Sequence, residues 1–238
     1  MRYKIYNGDC LEIMKAIPDN SIDLIFCDLP YGCTSCEWDC PIDLDKLWIE
    51  YMRIKKLHTP IFLTTTTKFG VNLINTAPKK CPFRYDICFV KSSSSGFLLS
   101  KKQPLRSHEM VYVFYEKQPF YDISSHKHKF KSEYNDFNNK DGAYGEIKSQ
   151  KRQPSSLYDP PLPTSVIHIK SERKQHSTQK PLELMNHFIK YYSKENDIIL
   201  DNCMGSGSTG VSALEMKRRF IGIEKDKDIF YTAEMRLS

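Results

Sequence analysis

The chain has 238 residues, of which 40% are hydrophobic and 27% are charged, and its formal net charge is +6. No apolar run approaches the roughly 18 to 20 residues that cross a bilayer, and the start, MRYKIYNGDC, lacks the apolar core of a secretory signal. We therefore expect a cytoplasmic (intracellular) protein without membrane segments, whose eight cysteines are reduced thiols.

The amino-terminal part of the chain alternates between predicted strands and helices. SIDLIFCD is a continuous apolar run closed by Asp, Pro and Gly, which is typical of a buried strand in a parallel sheet. LDKLWIEYMRIKKL carries apolar residues at helical spacing. We predict helices at 10–18 and 44–57, a short helix or turn after 67, and strands at 3–9, 21–28, 60–67, 83–91 and 108–117.

Between residues 118 and 170 hydrophobic periodicity is poor, and Pro, Asn, Ser, Lys and Tyr dominate. Lysines alternate with aromatic residues, as in SSHKHKFKSEYNDF, which favours a basic surface laid over an anionic partner such as nucleic acid. A solvated, lysine-rich surface is the alternative. We predict that 118–170 is an irregular insert that divides one α/β domain into residues 1–117 and 171–238.

Regular structure resumes in the carboxyl-terminal part. QKPLELMNHFIKYYS predicts a helix with Pro181 in its first turn, and DIILD predicts a buried strand. A glycine turn then opens a helix over 205–218, and a strand at 220–226 precedes a last helix. Because strands and helices alternate at both ends of the chain, we expect a doubly wound, mostly parallel sheet.

The glycine turn has the pattern Gly-x-Gly-x-x-Gly at Gly205, Gly207 and Gly210. It follows a predicted strand and opens a predicted helix, and Glu224 ends the next strand, where such folds bind ribose hydroxyls. A tight turn without a ligand is the alternative. Only 14 residues follow Glu224, so strands from the amino-terminal half must complete the sheet.

DLPY, residues 28–31, follows the buried strand and therefore lies at its carboxyl end, where open α/β sheets bind ligands. Asp28 offers a carboxylate acceptor, and Leu29 offers a carbonyl because the residue before Pro30 is extended. Tyr31 offers a flat ring. Two acceptors and a ring suit an exocyclic amine on an aromatic base.

Three cysteines follow this tetrapeptide, Cys33, Cys36 and Cys40. Their spacing raises the possibility of a zinc site, but a structural zinc usually needs four ligands and no fourth is evident. We predict no metal.

Four motifs together resemble those of the DNA amino-methyltransferases, which methylate adenine N6 or cytosine N4 with S-adenosylmethionine. They are NGDCLEIM, DLPY, HSTQKP at 176–181 and DNCMGSGSTG. The catalytic tetrapeptide comes first and the cofactor loop last, which resembles the order of the β class. The resemblance implies a Rossmann-like class I methyltransferase fold, with 118–170 as the target-recognition insert. Leu29 departs from the usual first proline, and Asn202 and Cys203 replace a usual Pro-Phe pair.

The resemblance also implies roles for individual residues. Asp28 and the Leu29 carbonyl would bind the target amine, with Pro30 shaping the turn and Tyr31 stacking on a base flipped out of double-stranded DNA. An acidic first residue favours adenine over cytosine. The implied cofactor residues are Asp9 and Cys10 for the adenine, Asp201, Gly205 and Gly207 for the methionine, Glu224 for the ribose, and Thr178 and Lys180 for the carboxylate. The family further implies a homodimer.

Other functions remain open at this point. An N4-cytosine methyltransferase shares all four motifs, and RNA or a protein glutamine is a further acceptor that related tetrapeptides serve. The glycine pattern alone also allows a nicotinamide-dependent oxidoreductase, which would explain neither DLPY nor HSTQKP. A non-catalytic nucleic-acid-binding protein on a decayed scaffold is the non-enzymatic alternative, although Asp28, Tyr31 and Glu224 are intact.

Overall fold

A computed structural model describes residues 2–30, 41–129, 157–169 and 180–238. The chain divides into a larger unit, Met1–Tyr121 with Ser165–Ser238, and a smaller unit, Asp122–Thr164. The larger unit thus takes in a few residues at both ends of the segment that the sequence assigns to the insert. No helix among the described residues combines the length and the apolar character that a membrane span needs.

The larger unit is built on one eight-stranded sheet. The strands of the chain are β1 (Tyr3–Asn7), β2 (Leu24–Cys27), β3 (Ile61–Thr65), β4 (Phe83–Ser95), β5 (Arg106–Phe114), β6 (Lys127–His128), β7 (Tyr158–Asp159), β8 (Val166–Ile169), β9 (Ile198–Asp201) and β10 (Arg219–Glu224). Their order in the sheet is β1-β10-β9-β2-β3-β5-β4-β8, and β5 runs antiparallel to both of its neighbours. The small unit contributes the antiparallel pair β6–β7.

This order confirms the predicted α/β class and the mostly parallel sheet. The last two strands lie between strands of the amino-terminal half, because β10 pairs with β1 and β9 pairs with β2. Strands from the amino-terminal half therefore complete the sheet around β9 and β10.

Helices cover the sheet. They are α1 (Cys10–Met14), α2 (Leu44–Ile54), α3 (Thr67–Thr76), α4 (Leu182–Tyr192), α5 (Ser208–Glu215) and α6 (Lys227–Leu237), with a 3-10 turn at Phe97–Leu99. Side chains cap several of them: Asp43 accepts from the Lys46 amide at the start of α2, and Thr66 accepts from the Phe69 amide at the start of α3. The predicted helix at 10–18 is shorter than expected and ends at Met14.

Two buried clusters hold the helices to the sheet. β2 and β3 are buried throughout. The sequence of β2, LIFC, is accordingly apolar, and β3 is apolar up to Leu63 and ends in two buried threonines. In one cluster Phe188 of α4 packs against Phe62 and Phe26, with ring centroids 4.5 and 5.3 Å apart. The other contains Trp48 and Tyr51 of α2. The clusters fix β2, β3, β9 and β10 so that their carboxyl ends meet at one edge of the sheet.

Candidate active site

Asp28 directly follows β2 at this carboxyl edge, and residues 28–30 form what we call the Asp28 turn. Leu29 is buried among apolar side chains of the core, so its side chain anchors the turn and only its backbone is suited to polar contacts. Leucine in place of the family's first proline is therefore compatible with a role for the carbonyl. Tyr31 and the three cysteines that follow it lie outside the described residues.

Two side chains hold the Asp28 carboxylate. The hydroxyl of Thr64, near the end of the neighbouring strand β3, donates to Oδ1. The ammonium of Lys180 lies 3.1 Å from Oδ2. The side chain of Asp28 is 32% exposed, so the carboxylate is fixed and still open to solvent on one side.

Lys180 connects Asp28 to a second carboxylate. Its Nζ donates to Oε2 of Glu109 on β5 at 2.6 Å, and Oε1 of Glu109 lies 3.1 Å from Nζ of Lys91 on β4. Burial raises the pKa of Glu109, but Lys180 and Lys91 outweigh it and the pKa falls to about 2. Burial likewise lowers the pKa of Lys180, but Asp28 and Glu109 raise it above its usual value. Glu109 and Lys180 are therefore both charged near neutral pH. We call Asp28, Lys180, Glu109 and Lys91 the ion-pair chain.

The sequence did not identify Thr64, Glu109 or Lys91, and it assigned Lys180 to the cofactor carboxylate. The weak signal for Glu109 is its place as a lone acid in the apolar strand sequence HEMVYVF. Thr178, two residues before Lys180, lies outside the described residues, so its predicted place near the cofactor remains a prediction.

The glycine loop, residues 202–207, leaves β9 after Asp201. Asp201 is almost fully buried: its Oδ2 accepts from the Thr209 hydroxyl at 2.6 Å, and its Oδ1 accepts from the Cys203 amide at 3.2 Å. Burial raises the pKa of Asp201 to about 7. The Asn202 side chain is also buried and accepts from the Tyr51 hydroxyl at 2.5 Å. These contacts hold the glycine loop on its buried side.

The opposite side of the glycine loop, at Gly205, is open. Gly205 has φ +52°, and a methyl group built on it would meet no atom within 4 Å. Its amide donates at 2.9 Å to Oε2 of Glu224, the last residue of β10, whose pKa burial raises. Gly207 immediately precedes α5, and a methyl group built on it would lie 3.2 Å from Cβ of Ala233 on α6. An open backbone face thus adjoins a partly buried acceptor.

Asp9 and Cys10 lie at the same edge, after β1. Asp9 caps α1, where its Oδ1 accepts from the Leu11 amide at 2.9 Å, and Lys225 lies 3.7 Å from its other oxygen. Cys10 is buried, and its Sγ accepts a weak hydrogen bond from the side-chain Nδ2 of Asn202 at 3.7 Å. The structure therefore brings Asp9, Cys10, Asp201, Gly205, Gly207 and Glu224 to one edge with Asp28.

No group of three or more His, Cys, Asp or Glu side chains within the described parts of the chain is arranged to hold a metal. Cys33, Cys36 and Cys40 lie outside those parts, so the absence of a metal there stays a prediction.

Known proteins match this chain along nearly its whole length. The family model described as DNA methylase (N6/N4) matches residues 22–235. The type II methyltransferase M.HinfI of Haemophilus influenzae is 28% identical over 98% of this chain and 67% of its own length. The DNA adenine methyltransferase YhdJ of Escherichia coli is 26% identical over 98% of this chain and 82% of its own.

Solved structures share the fold. M1.HpyAVI, solved as a complex with S-adenosylmethionine, is 23% identical, covers 99% of this chain and 100% of its own, and has a TM-score of 0.66. The cytosine-N4-specific PvuII DNA methyltransferase is 15% identical, covers 100% of this chain and 87% of its own, and has a TM-score of 0.72. Both likenesses confirm the class I methyltransferase fold.

The family takes its methyl group from S-adenosylmethionine, and the residues present fit that molecule. Glu224 is an acceptor of the kind that ribose hydroxyls need, and the open face at Gly205 lets a ligand approach the backbone closely. The match to the DNA methylase family over residues 22–235 sets a nicotinamide-dependent oxidoreductase aside. The chain belongs to the N6/N4 family of DNA methylases and is an S-adenosylmethionine-dependent DNA methyltransferase.

Proposed function

We propose that the protein methylates the exocyclic N6 amine of adenine at specific sites in double-stranded DNA, with the target base flipped out of the helix. The observation that carries this proposal is the fixed carboxylate of Asp28, held by Thr64 and Lys180 at the carboxyl edge of the sheet beside the glycine loop. A relative named as a DNA adenine methyltransferase supports adenine as the base.

The chemistry asked of Asp28 is to accept a hydrogen bond from the amine. The lone pair of an adenine amine is delocalised into the ring, so the amine is a poor nucleophile. Acceptors at Asp28 and at the Leu29 carbonyl would hold its two hydrogens and turn the lone pair away from the ring plane. A carboxylate accepts about four hydrogen bonds, and the side chain of Asp28 is 32% exposed, so an amine can approach it from the solvent side.

S-adenosylmethionine supplies, when bound, a methyl group on a positively charged sulfur. The amine nitrogen, held by Asp28 and the Leu29 carbonyl, would take that methyl group, with the sulfur as leaving group, and would then lose one proton. Asp28 is the acceptor for that proton, which it passes to solvent. Positive charge that develops on the nitrogen faces a carboxylate whose orientation is fixed in advance, and such preorganised groups supply much of an enzyme's rate.

Thr64, Lys180 and Glu109 serve this step as positioning residues. Thr64 and Lys180 each fix one carboxylate oxygen of Asp28, and Glu109 prevents Lys180 from turning away. Lys180 thus has a role at Asp28 in addition to the cofactor-carboxylate contact that the family implies for it and for Thr178. Pro30 and Tyr31 retain their predicted roles in shaping the turn and stacking on the base.

The cofactor residues follow the same edge. Glu224 would bind the ribose, Asp9 and Cys10 the adenine, and Gly205 and Gly207 the methionine through their backbone. Asp201 contributes by bracing the glycine loop, because its oxygens already accept from Thr209 and Cys203. The basic segment 118–170 would hold the DNA and select the target sequence, and a homodimer remains a prediction.

The test is a methylation assay with radiolabelled S-adenosylmethionine and plasmid DNA from a methylation-deficient host. Nucleoside analysis and base-resolved sequencing then identify the modified base and its sequence context. We expect N6-methyladenine at one recurring site, and no incorporation by the Asp28→Ala variant. Asp86→Ala, which removes an exposed aspartate on β4, is the matched control.

N4-methylcytosine in that assay would overturn the choice of base and retain the fold and cofactor. Incorporation into RNA or protein with none in DNA would overturn the choice of substrate. Full activity of Asp28→Ala would overturn the role of the Asp28 turn.

A further inference from the structure

The hairpin of β4 and β5 extends well past the edge that carries Asp28. Thr65, the last residue of β3, is opposite Met110 of β5, and Met110 is opposite Cys88 of β4. Cys88 therefore marks the level at which β3 ends. β4 continues for seven more residues to Ser95, a length on the order of 20 Å. Because β4 runs in the same direction as β2 and β3, this overhang projects on the side of the active site.

The end of the hairpin carries four exposed apolar residues that are close in sequence. Leu98 is 98% exposed and Phe97 is 80% exposed, and Leu99 and Leu105 are exposed to 46% and 44%. Single exposed apolar residues are common on protein surfaces, but a contiguous group marks a binding surface. We call residues 96–105 the hairpin tip.

The hairpin tip is an ordered structure. Gly96 takes φ +88°, which only glycine adopts readily, and the 3-10 turn that follows is closed by bonds from the Leu99 amide to Gly96 and from the Ser100 amide to Phe97. Below the tip, the hydroxyls of Ser94 and Ser107 lie 2.8 Å apart across the two strands. A preformed apolar knob binds at a lower entropic cost than a flexible loop.

Basic residues lie in and beside the hairpin tip. Between Asp86 and Glu109 the sequence contains no acidic residue; Lys101 and Lys102 lie in the tip and Arg106 follows it, whereas Lys91 is paired with Glu109. These basic residues are complementary to the phosphates of DNA. A second copy of this chain, docked symmetrically on the tip, would instead bring the same basic residues against each other.

The base of the hairpin is tied to the reaction centre. Lys91 and Glu109 sit on the two strands of the overhang, and Glu109 reaches Asp28 through Lys180. A DNA duplex engaged at Asp28 is therefore presented to the hairpin as well.

We propose that Phe97 and Leu98 are an apolar wedge that enters the DNA beside the target base and stabilises its extrahelical position, while Lys101 and Lys102 contact the flanking phosphates. This inference rests on the proposed function. Apolar side chains inserted between base steps unstack them, and the cost of extruding a base is least when it is mismatched. The wedge is therefore needed for a paired target base and dispensable for an unpaired one.

The experiment uses the full chain and a duplex around a site first mapped with the wild-type protein. A second duplex carries a mismatched base opposite the target base. We expect Phe97→Ala/Leu98→Ala to slow single-turnover methylation of the paired duplex by roughly tenfold or more. On the mismatched duplex, the rate of the variant should lie within about threefold of the wild-type rate. Ile49→Ala/Met235→Ala, which removes two exposed apolar side chains from α2 and α6, is the control and should change neither rate.

Lys101→Ala/Lys102→Ala tests the phosphate contacts separately from the apolar wedge. Loss of these contacts should slow methylation of both duplexes equally and weaken the salt dependence of DNA binding. Wild-type rates for the wedge variant on the paired duplex, or equal losses on both duplexes, would overturn the wedge while leaving the methyltransferase function intact. A change of the wedge variant from dimer to monomer in sedimentation would reassign the tip to self-association. If the wild-type chain methylates no DNA, the proposed function itself fails.

Discussion

The Asp28 turn and the glycine loop begin in the same way. Asp28 and Asp201 each stand at the carboxyl end of a buried parallel strand, and those strands, β2 and β9, are neighbours in the sheet. The surroundings of the two carboxylates differ. Asp28 is partly exposed and faces Lys180, whereas Asp201 is buried and accepts from the Thr209 hydroxyl and the Cys203 backbone amide.

The difference shows how environment divides the work between two identical residues. A carboxylate beside a lysine, with a face open to solvent, is suited to meet a substrate amine. A carboxylate that is buried so that its pKa rises to about 7 is suited to hold backbone and hydroxyl groups in place. We therefore expect changes at Asp28 to affect the methyl-transfer rate, and changes at Asp201 to affect the stability of the loop.

The largest expected effect is that of Asp28→Asn. Asparagine keeps the shape of the side chain but loses the charge and turns one acceptor into a donor. We expect the single-turnover rate to fall by roughly a thousandfold, as for loss of a preorganised group at a developing charge, while the Kd for S-adenosylmethionine changes little. Calorimetry and a rapid-quench assay would measure the two quantities. If Asp28→Asn also lost affinity for S-adenosylmethionine, the separate roles of the Asp28 turn and the glycine loop would be contradicted.

Much of this arrangement was predictable from the sequence, because it depends on local patterns. Continuous apolar runs predicted the buried strands β2, β3 and β9, and the residue that ends each strand must lie at the carboxyl edge. The groups that hold Asp28 were not predictable in the same way. Thr64 and Glu109 reach the site from strands 36 and 81 residues away in sequence (64 − 28 and 109 − 28), and no local pattern encodes which polar side chain faces another across a sheet.

The hairpin illustrates the second limit. SSSSGF has the composition of a loop, and the sequence ended the strand at residue 91. In the fold β4 continues to Ser95, because cross-strand serine contacts and the pairing of Ser95 with Arg106 extend the ladder. Small polar residues thus form a strand where a partner strand is available, which is a tertiary effect.

The second prediction concerns the ion-pair chain. Lys180→Met removes the cation between two carboxylates, so Asp28 loses one of its two supports and like charges face each other. We expect kcat to fall by roughly 10- to 100-fold with a smaller change in the KM for DNA. Glu109→Gln keeps Lys180 on Asp28 and should cost less.

Lys55→Met is the matched control for that variant. Lys55 is buried and lies 2.8 Å from Glu116, so its loss also breaks a partly buried ion pair. Asp28 has no part in that pair. Lys55→Met should lower the melting temperature and leave kcat per folded molecule unchanged. Equal losses of kcat in both variants would reduce Lys180 to a structural role.

The third prediction moves to the glycine loop. Gly205→Ala places a methyl group on the open face and imposes a strain of about 1 kcal/mol for an L residue at positive φ. We expect the Kd for S-adenosylmethionine to rise by roughly tenfold and the melting temperature to fall by only a few degrees. In Gly210→Ala the methyl group would clash with the Phe220 ring. This variant should therefore lower the melting temperature more than it raises the Kd for S-adenosylmethionine. Unchanged cofactor affinity in Gly205→Ala would place the ligand elsewhere.

The smallest expected effect tests the state of Asp201 by its pH dependence. Because burial raises the pKa of Asp201 from 3.8 to about 7, the folded chain binds a proton there more tightly than the unfolded chain does. The stability that this group contributes is fully present below the unfolded pKa and is lost as the pH rises through the folded pKa. Asparagine does not titrate, so the melting temperature of Asp201→Asn minus that of wild type should increase between about pH 4 and pH 7 and level off above. Asp43→Asn should give a slope of opposite sign at a lower pH, below about pH 4, because the Lys46 hydrogen bond lowers the pKa of that exposed cap below its usual 3.8. A flat difference for Asp201 would mean that its carboxylate stays ionised across this range, and the contrast with Asp28 would then rest on solvent access rather than on charge.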